Sequence, residues 1–321
     1  MRSYPTVGSH PVLKRPVGRG SPVETGVRHR ARSMEEFRAG QRKFSEAAIA
    51  AREAAAPFKP KPTDIVISPY GKCGTTMLQH MFHTLRTRGD MDFDDISRVV
   101  PWIEMSPMLG IDLNAPQRAE PRGFKSHLSY TSVPKGARYV VPLRDPKDAF
   151  VSMFRFMEGW FLEPGAVPMD DFFKGWIKGR GAEGEGYFDH LLSWWAVRRQ
   201  PNVLILSYRK LVADRAAHIR RLAAFAGLPL DDTLLDLTFE RSSRSWMLAH
   251  KDRFDDAMMR EMSETKGGLP RGSDSAKVRG SDGSHSDELP SVLSDRIDQL
   301  WAERIAPVLG YENFAELEAQ L

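Results

Sequence analysis

Residues 65–81 read IVISPYGKCGTTMLQHM. Ile65, Val66 and Ile67 are a short apolar run of the kind that fills a buried strand, Gly71 and Gly74 bracket a tight loop carrying Lys72, and a helical pattern follows at once. In that helix Met77, Leu78, Met81, Phe82 and Leu85 fall on one face, and Gly89 lies just past its end. A strand, a glycine-bracketed loop and a helix N-terminus together present backbone N–H groups and the positive end of a helix dipole. The stretch therefore predicts an anion site, with phosphate or sulfate as the guest.

Outward from this stretch, apolar runs alternate with helical periods. Runs at 64–69, 123–127, 138–143 and 202–207 read as strands, and helical patterns occupy 146–158, 187–199, 210–226 and 289–306. In the last, Leu289, Val292, Leu293, Ile297, Leu300 and Trp301 share one side. The alternation predicts an α/β fold of three layers, a central parallel sheet with helices on both faces. Residues 1–32, rich in Pro, Gly, Arg and Ser, predict a flexible basic arm. Residues 33–60 predict a peripheral helix and linker. There Ser33 and Glu36 make a capping-box pattern, and Pro57, Pro60 and Pro62 end the helix-forming run. The remainder, 61–321, reads as one α/β domain, in which the polar, glycine-rich stretch 250–286 is a long loop, either a lid that orders over ligand or plain disorder.

The 46 Lys+Arg against 42 Asp+Glu leave a formal charge of +4 on 321 residues. So mild an excess favours a local anion site over a nucleic-acid footprint. The one cysteine, Cys73, allows neither an intramolecular disulfide nor a cysteine-based zinc site. No apolar stretch has the length of a signal-peptide core or a membrane span, so the expectation is a cytoplasmic protein.

The loop departs from the ATP-binding form G-x-x-x-x-G-K-[ST]. Thr75 stands where the phosphate-binding lysine belongs, and Lys72 precedes Gly74 instead of following it. Nor does a later strand end in a magnesium-holding acid, unless Asp145 serves. The order K-x-G-T-T instead resembles the 5′-phosphosulfate loop of the cytosolic-type sulfotransferases, whose usual form is P-K-S-G-T-T-W. A second element of that family, R-x-x-K-D followed by a serine, is matched by Arg144, Lys147, Asp148 and Ser152. The similarity extends to FKSHL (124–128), YVVPLRDP (139–146), VLILSYRKLVAD (203–214) and VRGSDG (278–283), and so covers residues 64–310.

This resemblance implies a P-loop-like sulfotransferase fold, with 3′-phosphoadenosine-5′-phosphosulfate (PAPS) as donor and 3′-phosphoadenosine 5′-phosphate (PAP) as product. It implies no metal requirement and in-line transfer to a hydroxyl of a small, hydrophobic acceptor. Lys72 then stabilises the bridging oxygen of the donor, and Cys73, Gly74, Thr75 and Thr76 surround its 5′-phosphate. His127 matches the general base, a role suited to the ordinary pKa of imidazole. Arg144 and Ser152 match the contacts to the 3′-phosphate, which a guanidinium meets as a planar fork, and Tyr208 matches an adenine-side tyrosine or is a core aromatic. His80 and His83 read as polar-side or core-edge residues of the first helix.

Several positions depart from the family pattern. Met77 stands in place of an adenine-stacking tryptophan, and in SSRSWM (242–247) Arg244, next to Ser243, stands where a second aromatic is usual; both can still pack against a purine. Val278 replaces a basic residue of the terminal motif and leaves Arg279 and Gly280 to supply it. The family's K-x-x-x-T-V dimer motif is absent near 286–291, so the expectation is a monomer or a dimer of another type. Cys73, beside Lys72 and a helix N-terminus, reads either as a thiol of lowered pKa or as a small filler. VVPWIEMSPML (99–109) resembles the family's acceptor-side loop, which puts Trp102 and Glu104 near the acceptor, with Phe156, Trp160 and Trp246 as further apolar wall or as core. Two other readings stay open: a magnesium-dependent kinase on the same architecture, and a non-catalytic nucleotide- or polyanion-binding protein that works through its basic arm.

Overall fold

The computed structural model describes residues 29–177, 186–272 and 288–321. Most of the basic arm, and the expected donor contacts Arg279 and Gly280, lie outside the described residues.

Four parallel strands, β1 (Ile65–Ile67), β2 (Gly123–Lys125), β3 (Arg138–Leu143) and β4 (Val203–Ser207), form a sheet in the order β2-β1-β3-β4. Ile65 registers with Gly123 on one side and Arg138 on the other, and Tyr139 with Val203. Helix α1 (Met34–Ala54) precedes the sheet, and α2 (Thr75–Thr87) and α3 (Ile96–Val99) join β1 to β2. Between β3 and β4 come α4 (Pro146–Trp160), α5 (Met169–Ile177) and α6 (Tyr187–Ala196). After β4 follow α7 (Tyr208–Ala213), α8 (Arg215–Ala226), α9 (Asp232–Arg241), α10 (Arg244–Ala249), α11 (Ala257–Thr265), α12 (Ser291–Arg304), α13 (Ala306–Leu309) and α14 (Phe314–Ala319).

The period-2 geometry of a strand divides the sheet's side chains between two cores. Val66, Phe124, Tyr139 and Val141 face one cluster with residues of α4, α5, α6 and α12, whereas Ile65, Ile67, Val140 and Leu206 face the other with residues of α2, α8 and α9. The three-layer α/β expectation is met. The chain passes from β1 to β2 on one side and then to β3 on the other, so a crevice opens beyond the carboxyl ends of β1 and β3, the place where open α/β sheets bind ligands. The loop carrying Lys72 and the turn carrying Arg144 leave the sheet at that point.

Some local expectations are corrected. The helix expected over 210–226 breaks at Asp214, whose carboxylate accepts the Ala217 N–H at 3.0 Å and starts α8 afresh. Val292, placed with the apolar side of the last helix, is 72% exposed, because the buried stripe of α12 runs through Leu293, Ile297, Leu300 and Trp301. The loop expected over 250–286 contains a 3-10 turn at Lys251–Arg253 and α11, which Phe254, Met259 and Met262 anchor by burial in spite of the polar composition around them. Residues 273–286 of that stretch lie outside the described residues.

Helix α1 forms as its capping residues predict, with the Glu36 N–H donating to Ser33 Oγ at 3.1 Å. One end is tied by a bridge between Ala31 and Leu162, the other by Phe58 packing on Phe124 with ring centroids 4.6 Å apart, and between these ties it lies along the crevice.

Candidate active site

The loop after β1 turns into α2 through two left-handed residues, Lys72 (φ 69°) and Gly74 (φ 94°). At Gly74 a side chain has no room: a Cβ there would meet Tyr208 Cδ2 at 2.5 Å. This close approach seats Tyr208, the first residue of α7, against the loop. The opening amides of α2 have no partner within the helix, so the N–H groups of Thr75 and Thr76 are available to an anion at its positive end.

Arg144, just past the end of β3, is 7% exposed and locks this arrangement. Its Nη1 donates to the Lys72 carbonyl at 2.9 Å, and its guanidinium lies 5.0 Å from the Tyr208 ring centroid. The Arg144 carbonyl accepts the Tyr187 hydroxyl at 2.5 Å, and burial raises the pKa of that phenol well above its ordinary value. Asp145 caps α4 through the Lys147 N–H at 2.8 Å, and burial pushes its carboxyl up. The Lys72 ammonium sits 4.4 Å from the Phe156 ring centroid on α4. Among the described residues no group of three or more His, Cys, Asp or Glu is placed to hold a metal ion.

His127 follows β2. Its Nδ1 lies 2.9 Å from the Pro69 carbonyl. A carbonyl oxygen only accepts, so Nδ1 carries the proton and a neutral ring keeps its lone pair on Nε2. The backbone N–H of His127 donates to Glu104 Oε1 at 2.7 Å, and the Trp102 ring meets the imidazole edge-on with centroids 5.3 Å apart. Burial pushes the Glu104 carboxyl above its usual range. Thus Trp102 and Glu104 brace the histidine, and both also line the cavity.

Lys72, Gly74, Thr75, Thr76, Met77, His127, Arg144, Ser152 and Tyr208 all line one cavity of about 1640 Å³, with Arg244, Phe156 and Trp160. Three expected site residues stand elsewhere. Cys73 is 1% exposed and off the cavity wall, and burial pushes its thiol up to about 12, outweighing the lowering effect of Arg144 and Lys72; the reading as a reactive thiol of lowered pKa is corrected. Ser243 caps α10 by accepting the Trp246 N–H at 3.3 Å. Trp246 does not line the cavity; it stacks on His250 at 3.8 Å between centroids, since i and i+4 on one helix face meet, and on His80 of α2 at 5.1 Å. His80 and His83 are fully buried.

Sequence reasoning missed Lys125, whose signal was its place two residues before His127 on the same strand run and therefore on the same side. Lys125 is 2% exposed, with its ammonium 4.0 Å from the Trp102 ring centroid and 3.7 Å from Asp256 Oδ1. It missed Asp256 and the α1 residues too, since both reach the cavity only through tertiary packing. The cavity therefore has a basic end at the Lys72 loop, which suits a polyanionic nucleotide, and an apolar end beyond His127.

The sulfotransferase domain model matches residues 62–306. The chain is 24% identical over 262 residues to sulfotransferase 1C2 of Oryctolagus cuniculus, covering 78% of this chain and 86% of that relative. Among solved structures, retinol dehydratase in complex with androsterone and the inactive cofactor PAP superposes with a TM-score of 0.64 at 20% identity, over 82% of this chain and 85% of that one. A mouse sulfotransferase complexed with PAP superposes with a TM-score of 0.58 at 20% identity, over 83% and 91%. With its fold shared by these structures and its sequence matched over most of its length, the chain belongs to the cytosolic-type sulfotransferase family.

Proposed function

We propose that the protein transfers the sulfonate group of PAPS to a hydroxyl of a small apolar acceptor by in-line displacement. The donor supplies an activated sulfonate whose bridging phosphate oxygen gains negative charge as the S–O bond breaks. Lys72 meets that charge with its ammonium, an interaction stronger in the transition state than in the ground state. The α2 amides with Thr75 and Thr76 hold the 5′-phosphate, and Arg144 with Ser152 the 3′-phosphate. The adenine packs among Met77, Tyr208 and Arg244. His127 Nε2 takes the acceptor proton.

The observation that carries this reading is the His127 Nδ1–H bond to the Pro69 carbonyl, which leaves a proton acceptor on the wall that also bears Lys72 and Arg144. The test is mass-spectrometric detection of sulfonated product from PAPS and a panel of phenols and alcohols. His127→Ala should lower turnover by about 10²–10⁴-fold with PAP affinity unchanged. Turnover near that of wild type would overturn the base assignment.

A further inference from the structure

We infer that α1 is the roof of the acceptor chamber and that Gly40 keeps this chamber long, so that the preferred acceptor is an elongated, uncharged apolar alcohol. The inference rests on the sulfonate-transfer reading above and names the acceptor class.

The first observation is extent. Cavity-lining residues of α1 run from Glu36 to Ala47, so the chamber follows the helix for about 16 Å at the α-helical rise. Phe37, Gly40, Gln41, Phe44 and Ala47 follow the 3–4 spacing of one face, and that face looks into the cavity. The helix buries none of its residues fully, yet Phe44 packs with Trp160, Met259 and Met262. Met34 and Phe37, at the start of the helix, pack against the first core, with the Phe37 and Phe172 rings 6.3 Å apart, and from Gly40 onward the face is turned to the chamber.

The second observation is chemistry. Below α1 the apolar end is closed by α11 and the 102–109 loop, which bring Met259, Met262, Met105 and Met108. Unbranched thioether side chains repack around flexible chains more readily than branched ones. Asp256, the acid set among them, is paired with Lys125 at 3.7 Å, so the two buried charges there offset each other. Glu36 and Lys43 on α1 and Lys266 after α11, which also line the cavity, are exposed to solvent.

The third observation is Gly40 itself. It lies inside a helix, where glycine is a poor former, and a Cβ built on it meets nothing within 4 Å. Packing against the protein does not require a glycine there. Gly40 lines the cavity, so a large side chain at this position can reach the space that a long acceptor would use.

The experiment measures kcat/KM with PAPS for straight-chain primary alcohols from butanol to hexadecanol, with 2-naphthol as a compact acceptor, on wild type, Gly40→Ala and Gly40→Trp. PAP affinity is titrated in parallel and folding checked by urea unfolding. Wild type should gain about fourfold per added methylene until the chamber is full. Gly40→Trp should abolish the gain for the long alcohols and leave 2-naphthol, the shortest alcohols and PAP affinity unchanged, while Gly40→Ala keeps the wild-type profile. Sulfonation without chain-length dependence, or a Gly40→Trp loss shared equally by short and long acceptors, overturns the inference while leaving sulfonate transfer intact. Absence of both PAP binding and any product overturns the proposed function and the inference with it.

Discussion

Replacing Gly74 by alanine tests the geometry of the donor loop. The residue sits at φ 94°, a left-handed conformation that costs a side-chain-bearing residue about 1–2 kcal/mol. The new Cβ would also lie 2.5 Å from Tyr208 Cδ2 and 2.8 Å from Cε2, so the ring must move. Tyr208 packs beneath the Arg144 guanidinium at 5.0 Å, a contact of about 0.5–1 kcal/mol that the displacement weakens. The sum is a destabilisation of about 1.5–3 kcal/mol, read as a lowered urea midpoint at unchanged slope. PAP should bind about tenfold or more weakly, since a loss of 1.4 kcal/mol or more at the loop is expected to appear in binding. Tyr208→Ala should cost less in the Gly74→Ala background than in wild type, because the clash has already undone the packing. A Gly74→Ala protein within about 0.5 kcal/mol of wild type, with unchanged PAP affinity, would refute the reasoning.

Two further predictions concern buried titratable groups. Cys73, with its thiol pushed up to about 12 and 1% exposed, should resist iodoacetamide at pH 8 while the protein is folded; rapid modification with loss of PAP binding would contradict this. His80 is held neutral by burial, its pKa lowered from 6.5 to about 3. The folded state then binds fewer protons than the unfolded one, so the contribution is full above pH 6.5 and is lost as pH falls towards 3, by about 3 kcal/mol at pH 4. His83, lowered to about 4 chiefly by burial, acts with the same sign. His80→Phe, which preserves the stack on Trp246, should flatten the fall in urea midpoint between pH 6.5 and pH 4; an identical pH profile would sink this account.

The basic end of the cavity was legible because it is local. Lys72 to Thr76 form one strand-loop-helix unit, and Arg144 and His127 follow strand ends, so the switch point of the sheet brings them together. The apolar end was legible only in part, at Trp102, Glu104, Phe156 and Trp160. Phe44 and Met262 lie far apart in sequence and meet only over the cavity, and no periodicity announces such a meeting. Trp246 was left open between apolar wall and core, and its stacks with His250 and the buried His80 put it with the second core. Cys73 shows a competition decided by magnitude: sequence adjacency to Lys72 suggested a lowered thiol pKa, but burial dominates.

The most direct test of the central claim is calorimetric titration with PAP, in the presence and absence of magnesium and beside ATP with magnesium, on wild type and Arg144→Ala. The account predicts PAP binding that does not depend on magnesium, is tighter than that of ATP, and is lost in Arg144→Ala while the fold is kept. Preference for ATP with magnesium, or PAP binding indifferent to Arg144, would contradict it.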